Sequence, residues 1–153
     1  MKSVYYYKSE IGKIAIGEDG NAITDVFFGN EDLDWEIKET PLIKEAYKQI
    51  VEYLEGKRKT FDLPIVLSGT EFQKKVWNAL KKIPYGQTKS YKDIAIEVGN
   101  ERAARAVGMA NNRNPISIII PCHRVIGKNG KLVGYGGGLP IKEHLLKLEK
   151  ENS

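Results

Sequence analysis

The chain has 153 residues, with 24 Lys and Arg against 20 Asp and Glu, a formal charge of +4 and a pI of about 9.0. That length suits one large domain or two small ones, and the mild basic excess favours an anionic partner. A single Cys excludes an internal disulfide, and one Cys with two His is poor material for a metal centre. No run approaches the ~20 apolar residues of a membrane span. A soluble, cytoplasmic protein of a reducing compartment is expected, without metal or cofactor and with no membrane partner.

The first third reads as β. Residues 3–8, 12–17 and 22–28 are short stretches rich in β-branched and aromatic residues, and Gly20-Asn21 suits a hairpin turn between the second and third. Residues 31–39 are charged and read as loop. Thr40 can cap a helix with Pro41 at its first position. Ile43, Ala46, Tyr47, Ile50, Val51 and Leu54 follow at helical spacing, and Gly56 ends the run. Residues 57–68 read as a linker, placing a domain boundary at 65/66.

The second part reads as mainly helical. Thr70 and Gln73 form a capping box, followed by the stripe Phe72, Val76, Ala79, Leu80 and Ile83, with Pro84-Tyr85-Gly86 as the stop. A helix-turn-helix pattern comes next. Ser90 caps a helix with Ile94, Ala95 and Val98 inward, Gly99-Asn100 turns, and a second helix runs from about Glu101 to Ala110. Ala103, Val107 and Ala110 share one face of it, and Arg102 and Arg105 project from a neighbouring face. Small Ala103, Ala104 and Ala106 allow close approach to a nucleic-acid groove, although an Ala-rich helix with two Arg also suits plain packing with a solvated face.

The stretch that organises the chain is Asn114 to Val125. Apolar and bounded by Pro115 and Pro121, it reads as a buried strand that throws Cys122 into a turn. His123 and Arg124 can supply the positive potential that favours a thiolate; the plain alternative is a buried, inert thiol. Beyond it lie a Gly/Asn turn at 127–130, a short strand near Leu132-Val133 and a glycine-rich run at 134–138 without the Lys-Ser/Thr ending of a phosphate loop. Pro140 opens a last helix with Ile141, Leu145 and Leu148 buried. Glu149 falls beside that stripe, either turned inward toward His123 or left on the rim.

Pro121-Cys122-His123-Arg124-Val125, together with Ile83-Pro84-Tyr85-Gly86, Ser90-Tyr91, the run 103–108, Asn114-Pro115 and Gly136-Gly137-Gly138-Leu139, resembles the O6-alkylguanine-DNA alkyltransferases. The resemblance spans about Gly69 to Glu149. It implies an α/β (α+β) protein. A small N-terminal ribonuclease-H-like antiparallel sheet plus helix (1–65) would have a supporting role. A mainly helical, winged helix-turn-helix-like C-terminal domain (66–153) would carry the active-site cysteine. Some relatives hold zinc in the N-terminal part through Cys and His; this chain has neither before Cys122.

The implied activity is irreversible, single-turnover transfer of an alkyl group from guanine O6, and less so from thymine O4, in double-stranded DNA to Cys122 by a monomer. The resemblance gives His123 as base, Glu149 as stabiliser of the imidazolium, Tyr91 as donor to the purine N3 and Asn114 as brace of the cysteine turn. Arg105 is the finger that fills the stack after the nucleotide is flipped, with Arg102, Ala103, Ala104 and Ala106 along the minor groove. Tyr91, Val125, Tyr135, Gly136 and Ser117 line the pocket. Two departures bear on specificity. Gly136 replaces a hydroxyl residue of some relatives, and Ser117 replaces a Pro that stacks on bulky groups, which implies poorer handling of benzyl adducts. The rival readings are a DNA-damage sensor without chemistry, whose alkyltransferase-like examples lack the cysteine, and a cysteine hydrolase.

Overall fold

The computed structural model describes every residue except Met1, Asp32 and Gly136. The chain forms two compact units, Met1–Leu67 with Pro115–Ile119, and Ser68–Asn114 with Ile120–Ser153.

In the first unit, β1 (Ser3–Ser9), β2 (Gly12–Glu18) and β3 (Ile23–Phe28) form an antiparallel meander. A short β4 (Glu36–Ile37) adds in parallel beside β1, giving the order β3-β2-β1-β4. This two-residue strand lies inside the charged stretch expected to be loop. β2 is central and buried from Ile14 to Glu18, so its side chains pack on both faces. Helix α1 (Pro41–Leu54) packs on the sheet. Thr40 caps it by accepting from Ile43 N, and Ile43, Ala46, Ile50 and Leu54 form the expected stripe.

The segment expected to be a linker is instead tied into this unit. The Gln49 side chain accepts from Asp62 N at 2.9 Å and donates to Asp62 O at 3.1 Å. Ile23 N donates to Pro64 O at 2.8 Å and Val66 N to Ile23 O at 3.0 Å. The first unit therefore runs to Leu67, two residues past the expected boundary, and it takes back Pro115–Ile119. That return corrects the expected strand over 114–120. The segment makes isolated bridges instead, among them Ile116 to Val26, with Val26 N donating to Pro115 O at 2.8 Å and Ser117 N to Val26 O at 3.0 Å. Pairing stops because Ile118 lies at φ 72°, where a β-branched residue is an outlier. The left-handed conformation costs ~1–2 kcal/mol, and complete burial of the Ile118 side chain returns ~1.5–3 kcal/mol.

In the second unit, α2 (Glu71–Lys81) carries the expected capping box of Thr70 and Gln73. Its Trp77 donates Nε1–H to Ala110 O at 2.8 Å, pinning α2 to the helix-turn-helix. β5 (Lys89–Ser90) leads into α3 (Tyr91–Glu97), capped by Ser90, and Gly99 at φ 91° makes the turn. α4 (Ala104–Asn112) starts three residues later than expected, because Asn100 holds Arg102 N through its side chain and Ala103 N through its carbonyl in a separate turn. Cys122–Arg124 is one turn of 3-10 helix, followed by β6 (Val125–Ile126), which pairs in parallel with β5. No strand forms at Leu132-Val133. Gly127 N donates to Lys131 O and closes a tight loop there. α5 (Leu139–Asn152) ends the chain.

Charge is divided unequally. The second unit holds 15 of the 24 Lys and Arg but only 7 of the 20 Asp and Glu, a formal +8, which leaves −4 for the first. The whole-chain value of +4 conceals this. Among the described residues, no helix is long and apolar enough to cross a membrane.

Candidate active site

Pro121 breaks the backbone and starts the 3-10 turn that carries Cys122, His123 and Arg124. Cys122 is 3% exposed. Its N–H donates to Ile120 O at 2.8 Å, and that carbonyl also accepts from Asn114 Nδ2 at 2.8 Å. The Cys122 carbonyl accepts from Asn111 Nδ2 at 3.2 Å. Two amide side chains thus brace the turn on either side of the sulfur.

His123 is fully buried, with Nε2 2.6 Å from Glu149 Oε2. Glu149 is turned inward and is the hub of the site. Arg124 donates Nε to Glu149 Oε1 at 2.8 Å and Nη2 to Oε2 at 3.0 Å, a two-pronged grip, while its Nη1 reaches Ile83 O at 2.7 Å. Gly86 N adds a fourth donor to the carboxylate at 3.1 Å. Gly86 is at φ 78° beside the chain end, so glycine is needed to aim that N–H. Burial is the main influence that lowers the His123 pKa, and the Glu149 contact opposes it without reversing it. His123 is therefore neutral at pH 7. With Nε2–H donated to Glu149, Nδ1 is the basic nitrogen. Glu149 then stands ready to stabilise the imidazolium once a proton arrives, the orienting role of the acid in a nucleophile–base–acid arrangement.

Tyr91, the first residue of α3, donates its hydroxyl to Val133 O at 2.7 Å. Burial and then the Cys122 charge raise its pKa, so it remains a neutral donor. Tyr135 is raised well above the ordinary tyrosine value, first by burial and then by Cys122 and Glu149. Val125 is buried in β6. Cys122, His123, Glu149, Tyr91, Asn114, Val125 and Tyr135 all belong to the second unit, whereas Ser117, expected on the pocket wall, belongs to the first. Gly136 lies outside the described residues.

On the helix-turn-helix, Arg102, Arg105 and Ala106 are exposed and Ala103 and Ala104 half-buried. Ala103 is the N-cap position of α4, without a side-chain cap, and Arg102 precedes it. Met109, one turn beyond Arg105, is 56% exposed.

Two residues of this neighbourhood were missed in the sequence, and a third was given a different role. Asn111 sits on the buried face of α4 one turn after Val107, and a polar residue on an apolar stripe was the signal available. Arg124 was expected to lend its charge to the thiol, but it is committed to Glu149 and Ile83 O. Lys142 is fully buried in α5, in place of the expected Ile141 and Leu148, which are only half-buried. Its Nζ donates to Val133 O at 3.0 Å and Gly134 O at 3.2 Å.

Two family models match the chain: "6-O-methylguanine DNA methyltransferase, ribonuclease-like domain" over residues 4–67 and "6-O-methylguanine DNA methyltransferase, DNA binding domain" over residues 71–151. A methylated-DNA–protein-cysteine methyltransferase of Methanosarcina acetivorans is 51% identical, with 95% of this chain and 98% of that protein covered. The constitutive one of Bacillus subtilis is 50% identical, with 95% of each covered. Among solved structures, Mycobacterium tuberculosis OGT in complex with DNA superposes with a TM-score of 0.92 at 43% identity, covering 99% of this chain and 94% of that one. The matched fold, the cysteine turn and the extent of these similarities agree, and the chain belongs to the 6-O-methylguanine DNA methyltransferase family.

Proposed function

We propose that this protein repairs DNA by moving a methyl or larger alkyl group from guanine O6, and less readily from thymine O4, to Cys122. The observation that carries the reading is the buried His123–Glu149 pair, 2.6 Å apart, on the turn that presents the chain's only cysteine. Neutral His123 accepts the thiol proton through Nδ1, and Glu149 stabilises the imidazolium. The thiolate attacks the alkyl carbon. The S–C bond forms as the C–O6 bond breaks, and the bonding pair stays with guanine. Tyr91 donates to the purine N3 as charge builds on the leaving base. In the net reaction, the alkyl group ends on sulfur and the thiol proton on the base. A thioether does not revert under these conditions, so each molecule acts once.

Guanine O6 is inside the stack, so the nucleotide must leave it at a cost of a few kcal/mol. The +8 charge of the second unit supports binding to the DNA backbone. The exposed Arg105 is the finger that fills the vacated stack, and Ala103, Ala104, Ala106 and Arg102 run along the minor groove. Val125 and Tyr135 border the flipped base, and Asn114 braces the turn. Selection depends on the lesion rather than on flanking sequence, and the protein acts as a monomer.

The test is peptide mass spectrometry after incubation with a duplex containing one O6-methylguanine. A gain of one methylene on the peptide bearing Cys122, with lesion loss equal to the protein present, is the expected result. Tight binding with Cys122 unmodified would refute it.

A further inference from the structure

Met109 is the chain's only methionine besides Met1. It is 56% exposed on α4, whose inner face is filled by Val107, Ala110 and Asn111 and fastened to Trp77 through the Ala110 carbonyl. The core makes no use of its side chain, and at an exposed position Glu, Lys or Gln would support the helix equally well. Arg105 and Ala106 are exposed on the same helix, and Met109 lies one turn beyond Arg105. The neighbouring Gly108 backs onto Tyr91, since a Cβ there would lie 3.8 Å from the tyrosine ring. The stretch is also cationic: no Asp or Glu occurs anywhere from Arg102 to Lys142. An apolar side chain beside an arginine, on a stretch without carboxylates, matches a nucleic-acid groove. There the phosphates attract the cations, and the sugars and base edges offer apolar surface.

We propose that Met109 is an apolar DNA contact beside Arg105, and that oxidation of its thioether is a modification that weakens this contact. Methionine suits the first role because it is unbranched and polarizable, so it follows a groove of varying width without demanding a base sequence. Exposure brings the second. Hydrogen peroxide delivers one oxygen to Sδ: the S–O bond forms as the O–O bond breaks, sulfur is oxidised by two electrons, and the peroxide leaves as water. The product is a polar, chiral sulfoxide, which a sulfoxide reductase returns to the thioether. Such a group fits an apolar contact poorly. Cys122 is shielded by comparison, at 3% exposure, so Met109 meets the oxidant first.

The proposal rests on the reading of α4 as the DNA-docking helix. Its test is the binding of an undamaged duplex to Cys122→Ser protein, which has no thiol left to oxidise. Hydrogen peroxide should add one oxygen to the peptide bearing Met109 and lower duplex affinity about fivefold, the effect of withdrawing roughly one methylene of apolar contact. The slope of log affinity against log salt should not change, because no phosphate contact is lost. Met109→Gln, polar and of similar length, should show the same loss without peroxide. Met109→Leu should keep the affinity and be insensitive to peroxide, and bound duplex should protect Met109 from oxidation. Equal affinity of oxidised and reduced protein, or of the proteins with and without Met109→Gln, would overturn the proposal. So would a rate of Met109 oxidation that duplex leaves unchanged. The two readings fail separately. Methyl transfer to Cys122 in wild-type protein whose Met109 the duplex does not protect rejects the contact alone. A protected, peroxide-sensitive Met109 in wild-type protein that takes no methyl group rejects the transferase reading, and the contact stands.

Discussion

Glu149 offers the sharpest test of how the site is held together. Replacing it with Gln keeps the shape and removes the charge. The carboxylate accepts from Arg124 Nε and Nη2, Gly86 N and, in the tautomer assigned above, His123 Nε2. A carboxamide can meet some of these donors through its oxygen, but its NH2 group must face the rest. Arg124, 7% exposed, is then left without a counter-charge. Removing one partner of a buried ion pair costs ~3–5 kcal/mol, about a fifth or more of a typical domain's stability. Arg124→Met should cost a similar amount, because it strands Glu149. The double replacement Arg124→Met with Glu149→Gln removes both charges. It should cost less than the sum of the single changes by ~2–4 kcal/mol, the residue being Ile83 O and the donors that the carboxamide cannot meet, at ~1–3 kcal/mol for each group that water cannot reach. Urea unfolding followed by Trp77 fluorescence in a Trp35→Phe background reads this unit, since Trp77 is buried against α4. Costs that add to within ~0.5 kcal/mol would show that the pair is not coupled and refute the reasoning. The two variants that replace Glu149 should lose methyl transfer, because His123 loses the carboxylate that orients it.

Further outcomes follow from the same geometry. Burial holds His123 below the ordinary value of 6.5, so the unfolded chain takes up its proton first as pH falls. This contribution to stability is complete above pH 6.5 and is lost below it, at up to about 1.4 kcal/mol per pH unit. His123→Gln should flatten the acid side of the stability profile measured by urea midpoints, and an unchanged slope would count against a buried neutral imidazole. Tyr91→Phe should cost less than ~1 kcal/mol of stability, since Val133 O keeps Lys142. It should nevertheless slow single-turnover transfer by about a hundredfold; comparable rates would mean that the hydroxyl does not serve the leaving base. On undamaged duplex, Arg105→Ala should reduce the slope of log affinity against log salt by about one, while Lys44→Ala in the acidic first unit should leave it unchanged. A slope insensitive to Arg105 would move the DNA contact off this helix.

Much of the fold was legible because its signals are local. Thr40, Thr70 and Ser90 cap helices in the structure as their neighbours suggest, and the three long strands follow the β-branched and aromatic runs. The misses arise where tertiary context overrides local preference. Residues 114–120 look like a strand because Ile and Ser favour one, but the segment is shared between the two units, and the left-handed Ile118 turns it away from β3. Asn100 delays α4 through a side-chain bond that competes with the helix.

The site was legible in a narrower sense. Cys122, His123 and Glu149 could be named because a nucleophile, a base and an acid have recognisable chemistry. Lys142 could not be placed, because a lysine is ordinarily read as solvated, and Arg124 was read toward the thiol although it is held by Glu149 and Ile83 O. In α5 the apolar pattern suggested Ile141, Leu145 and Leu148, whereas the helix actually buries Lys142, Leu145 and Glu149. A rotation that small separates a purely apolar stripe from one that carries both a carboxylate and an ammonium to the cysteine turn. Burying those charges is costly in folding terms, and each is met by built-in partners: His123, Arg124 and Gly86 for Glu149, and two carbonyls for Lys142. A helix stabilised by packing alone would have selected Ile141 and Leu148. α5 departs from this choice at both ends, with Glu149 held by His123 and Lys142 by the Val133 and Gly134 carbonyls, which ties the register of the helix to the site rather than to the apolar core alone.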